Sequence, residues 1–112
     1  MATIRALILE IQDEVGTGDV LPERGAVLLM MATALVGNVL DEIREADIAF
    51  NEILLACLDA EEKANRAKIR AETTVEYARK RAARDTRSLL DGLIASLKYH
   101  IRLQTEELRL SR

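Results

Sequence analysis

The sequence predicts an all-α protein: a short N-terminal helix, a long central helix with a heptad seam and a C-terminal helix, arranged as a helical hairpin or coiled-coil oligomer. Three observations carry this. The composition is dominated by Leu, Ala, Ile, Glu and Arg, with one proline, Pro22, and only Phe50, Tyr77 and Tyr99 as aromatics; strands prefer the residues that are scarce here. Apolar residues recur at steps of three and four over most of the chain. The one clear cluster of turn formers is residues 16–22.

The first helix is expected from Ala2 to Val15, with Thr3 as cap and Ile4, Leu7, Ile8 and Ile11 as its apolar stripe. Gly16 ends it. Pro22 then suits the first position of a second helix, where its missing N–H costs no hydrogen bond. From there a seam runs Leu29, Ala32, Val36, Val39, Ile43, Ala46, Phe50, Ile53, Cys57, Ala60, Ala64, Ala67, Ala71, Thr74 and Ala78, without a proline. Such a repeat implies packing against a partner helix. The seam is bulky to Ile53 and mostly alanine after it, so its second part gains less from burial, at about 25 cal/mol per Å².

Thr73 and Glu76 fit a capping box, which favours a bend or short interruption there over one continuous helix. The last helix carries Leu90, Ile94, Leu97, Ile101 and Leu108 on one stripe, with Gln104 its one polar position. Narrow stripes on long helices rarely bury themselves alone. A homo-oligomer is therefore expected, held by Leu29, Val36, Val39, Ile43, Phe50, Ile53, Leu90, Ile94, Leu97 and Ile101.

At 112 residues and 49% hydrophobic content the chain has room for one domain with a core. Cys57 cannot form an internal disulfide, and its leucine neighbours point to a buried core thiol in a reducing, cytoplasmic setting, inside the host if the protein is phage-encoded. Charges at Arg5, Glu10, Asp13 and Glu14 disagree with a secretory signal. Gly25 to Leu40 carries no charge, yet its 16 residues fall short of the roughly 20 a bilayer core requires. A buried helix is the expected reading, with no membrane partner.

Charge is divided along the chain. Residues 1–62 hold 3 Lys+Arg against 13 Asp+Glu, a balance of −10, and residues 63–112 hold 13 against 6, a balance of +7. Lys63, Arg66, Arg70, Tyr77, Lys80, Arg81, Arg84 and Arg87 follow one another at mostly helical spacing beside the alanine seam. Cations in a line suit a phosphate backbone, and Tyr77 among them suits stacking on an unpaired base. The alternative is a solvated or subunit-pairing face, supported by the i, i+4 pairs Asp59–Lys63, Glu62–Arg66 and Glu76–Lys80.

Catalytic chemistry is poorly provided. His100 is the single histidine and Cys57 has no base on its helix. Gly16-Thr17-Gly18 lacks the residues of a phosphate loop. The acidic run Asp41, Glu42, Glu45 and Asp47 lacks the Glu-x-x-His pairs of helical di-metal sites. No catalytic residue, metal or cofactor is expected.

The stretch Ala64-Asn65-Arg66-Ala67-Lys68-Ile69-Arg70-Ala71 leading to Tyr77, followed by Leu93-Ile94-Ala95-Ser96-Leu97-Lys98 and Gln104, resembles the UvsY-type recombination mediators of phages. The likeness spans about Ala34 to Arg109. It implies an oligomeric, often ring-like DNA-recombination accessory that binds single-stranded DNA and helps a recombinase displace single-strand-binding protein. The family's basic stretch would map onto Lys68 and Arg70, and its later basic residue onto Lys98. The rival reading is a helical protein-binding module, such as a phage structural or scaffold component or a small inhibitor.

Overall fold

Thr3 opens the first helix because its hydroxyl stands in for a missing turn: Oγ1 accepts the Ala6 N–H at 3.1 Å, satisfying a donor that the helix itself leaves orphaned. In the computed structural model, which describes residues 3–18 and 20–110, four helices follow in order: α1 Ile4–Gly16, α2 Pro22–Ala60, α3 Ala64–Ala71 and α4 Val75–Leu110. The described residues contain no strand, and the fold is all-α. The expected start of α1 at Ala2, like Asp19 of the loop, lies outside the described residues. Gly18 turns the chain with φ +78°, a conformation that costs glycine no Cβ clash, and Pro22 takes the first position of α2.

The described chain divides into two compact units, Met1–Asn38 with Thr86–Arg112, and Val39–Asp85. The first unit is cored by Ile8 and Ile11 of α1, Leu28, Ala32 and Leu35 of α2, and Leu90, Leu93 and Leu97 of α4, with Val20 of the loop also buried. Full burial of each large aliphatic side chain contributes about 1.5–3 kcal/mol. Gln104, the polar residue in the last stripe, donates from Nε2 to the Val20 carbonyl at 2.7 Å. It thus satisfies a loop carbonyl that has no helical partner. Arg24 closes the α1–α2 loop with two bonds to Glu14, at 2.6 and 2.8 Å.

The second unit is cored by Val39, Ile43, Ala46 and Phe50 of α2, Ala67 and Ala71 of α3, and Ala83 of α4. Alanine at 67 and 71 lets the short helix lie close to its neighbours. Arg70 of α3 reaches back to Glu61 at 3.0 Å. From α4, Arg79 bonds Glu42 and, at 3.5 Å, Glu45, while Arg84 meets Asp47 at 2.9 Å.

Two expectations about the seam are corrected. Between residues 25 and 40 the buried set is Gly25, Leu28, Ala32, Leu35 and Val39, and Leu29 and Val36 are half-buried. That stretch is uncharged on every face, so the 3–4 spacing admits more than one stripe and packing chooses between them.

The second correction concerns continuity. No single helix runs from Leu29 to Ala78: α2 ends at Ala60, and Lys63 is extended (φ −106°, ψ 123°) before α3. The break carries no Gly or Pro. Its cause is charge, since Asp59, Glu61 and Glu62 crowd the negative end of α2 and its last turn has no basic residue.

The interruption near Thr73 is present at residues 72–74. Thr74, not Thr73, caps α4: its Oγ1 accepts from Tyr77 N at 3.3 Å, whereas Thr73 Oγ1 donates to Arg70 O at 2.7 Å. The last helix begins there, well before the Leu90 stripe. Cys57 is half-buried, and so is His100, whose Nε2 and neighbouring Gln104 Oε1 are buried without hydrogen-bond partners. By length and composition α2 is the one described helix apolar enough to cross a membrane.

Candidate functional site

Phe50 and Tyr77 set the geometry of the second unit's most distinctive surface. Their rings lie 5.4 Å apart at 44°, a tilted aromatic pair that fixes α4 on α2. Beside them opens a cleft of about 530 Å³, lined by Phe50, Leu54, Leu58, Ala64, Lys68 and Glu72 together with Tyr77, Lys80, Arg81 and Arg84 of α4. Its lining combines aliphatic side chains with four cations.

Three cations of the basic stripe, Lys80, Arg81 and Arg84, and its tyrosine therefore meet at one place with Lys68 of the resemblance, although they come from two helices. Lys80 Nζ stands 4.5 Å over the Phe50 ring, and the Arg81 guanidinium 6.0 Å from the Tyr77 ring. Such cation–π contacts hold the charges beside the cleft. Arg84 is partly neutralised by Asp47. Lys68 and Arg81 have no carboxylate within ion-pair distance among the described residues.

Other stripe residues stand elsewhere. Lys63 is the extended residue before α3, Arg66 is exposed on α3, and Arg70 is paired with Glu61. Arg87 and Lys98 belong to the first unit, where Arg87 lies 3.7 Å from Asp91. A continuous line of cations from 63 to 87 along one helix face is thus replaced by a cluster, because the chain breaks at 61–63 and again at 72–74.

Of the side chains expected to join subunits, Val39, Ile43, Phe50, Leu90 and Leu97 are buried within this chain itself, and Leu29, Val36, Ile53, Ile94 and Ile101 are half-buried. Ile101 packs on Gly25, at 3.5 Å from where a Cβ would stand. The seam is used largely inside the chain.

The acidic run on α2 is matched to arginines: Asp41 to Arg44 at 3.2 Å, Glu42 and Glu45 to Arg79, Asp47 to Arg84. The hydrogen bond to Glu42 raises Arg79 above its ordinary pKa. No group of three or more metal-ligating side chains is assembled among the described residues. Sequence reasoning missed Leu54, Leu58, Ala64 and Glu72 of the cleft, and also Arg79. The cleft leucines sit off the heptad seam, and nothing but the fold distinguishes them from exposed apolar residues.

Comparisons with protein-family models, curated proteins and solved structures find no match to this chain.

Proposed function

We propose that this chain is a non-enzymatic helical protein that binds single-stranded DNA, acting as a homo-oligomeric recombination accessory of the phage mediator type beside a recombinase or single-strand-binding protein. The observation that supports it is the gathering of Lys68, Tyr77, Lys80, Arg81 and Arg84 around one apolar cleft. Cations supply the sequence-independent attraction to phosphates, and an apolar surface among them distinguishes an unpaired strand from a duplex, whose bases are stacked away.

Fluorescence anisotropy with a labelled single-stranded oligonucleotide at low salt tests this. Binding at micromolar protein, lost in the double variant Lys68→Glu/Arg81→Glu, is the expected result; no binding by the unaltered protein ends the proposal.

A second reading, a helical protein-binding module such as a phage scaffold component or inhibitor, is favoured by a different observation. Arg70, Arg79 and Arg84 already have carboxylate partners, while Val27, Met30 and Met31 of the first unit stand in solvent, Met30 at 72% exposure. Uncovered apolar side chains of this size mark contact surfaces when they adjoin one another. Light scattering separates the alternatives: replacing Lys63, Arg66 and Arg70 by Glu alters the assembly mass if these residues join copies, and leaves it unchanged if they do not.

A further inference from the structure

Resting on the single-strand reading above, we infer that the cleft seats one unpaired nucleobase against Leu54 and Leu58, with the flanking phosphates on Lys68 and Arg81. The aromatic rings are not the platform. Phe50 is 6% exposed and lies under the Lys80 ammonium, and Tyr77 is taken up by Phe50 on one side and the Arg81 guanidinium on another. What the cleft leaves open is aliphatic: Leu58 is 40% exposed and Leu54 half-buried, with Ala64 beside them.

A base is flat, largely apolar on its faces and joined through its sugar to a phosphate on either side. The cleft offers the complement, apolar side chains lining one space with Lys68 of α3 and Arg81 of α4, neither of which has a carboxylate partner among the described residues. Its volume of about 530 Å³ lies within the roughly 300–1,000 Å³ of sites that enclose small organic groups.

The test compares a short labelled deoxyoligonucleotide with a strand of equal length whose residues are all abasic. The abasic strand has no apolar base surface to bury against the leucines, so it should bind roughly tenfold more weakly at equal salt. Leu58→Glu, at a position exposed enough to leave the core intact as circular dichroism would register, should remove most of that difference. Equal affinity of the unaltered protein for both strands overturns the base seat while strand binding stands. Failure to bind either strand overturns the underlying reading instead. Tight, Leu58-dependent binding of an acidic amphipathic peptide by a protein that ignores both strands assigns the cleft to a protein partner and also overturns the seat.

Discussion

Leu97 and Leu58 are both helical leucines, yet their surroundings give them opposite roles. Leu97 is 0% exposed in the first unit, so Leu97→Ala removes packed methyl groups and leaves a cavity; urea denaturation should show a loss of about 2–5 kcal/mol. Leu58→Ala at a 40% exposed site should stay within about 0.5 kcal/mol. Glu14 offers a pH readout. Its hydrogen bond to Arg24 lowers its pKa below the ordinary value. A carboxylate with a lowered folded-state pKa contributes stability that is present above the ordinary value and is lost as pH falls through the folded one. An NMR titration should therefore place its midpoint below that of an unpaired glutamate, and Arg24→Met should move it upward. At this scale the sequence was legible for Phe50 and Leu97, whose bulk and spacing suffice. It was not legible for Arg79, whose partners Glu42 and Glu45 are 37 and 34 residues away.

Helix boundaries followed local chemistry wherever that chemistry was explicit. Thr3 and Pro22 could be read directly because capping and a missing N–H act within one turn, whereas Gly16 stays helical and the chain turns at Gly18. The break at 61–63 could not, since it arises from carboxylates at a helix end and not from a breaker residue. Near Thr73 the signal was correct and one residue out: Thr74 supplies the cap. Thr74→Ala should cost about 1 kcal/mol, measured as a lowered denaturation midpoint, whereas Thr73→Ala should cost less because its hydroxyl merely donates to Arg70 O. The buried alanines of α3 carry a contrary prediction. Leucine at Ala67, which is 0% exposed, should destabilise by about 1–3 kcal/mol although it raises hydrophobicity, because the space it would fill is already occupied.

For the whole molecule, charge is the property most visible in the sequence and most altered by folding. The +7 balance of residues 63–112 suggests a broad cationic surface, but the α2 carboxylates draw Arg79 and Arg84 into ion pairs, and the uncommitted charge is narrower. If the two phosphates flanking the seated base are neutralised, log affinity for single-stranded DNA against log salt should fall with a slope of about −1.4. A slope several times steeper would mean that contacts extend beyond the cleft. The cleft itself could not be read in advance, because it forms only when the break at 61–63 sets Ala64 and Lys68 in one lining with Tyr77 and Arg81.

The short α3 has a thermodynamic consequence of its own. Eight residues held by two buried alanines and the Arg70–Glu61 pair bury little area, so this segment should open at a free energy well below that of global unfolding. Amide exchange would find Ala64–Ala71 losing protection while the middle of α4 keeps it. Since Ala64 and Lys68 form part of the cleft wall, each opening dismantles and rebuilds the site. Any occupant that requires the closed form then slows exchange in α3, coupling its binding to the folding of eight residues.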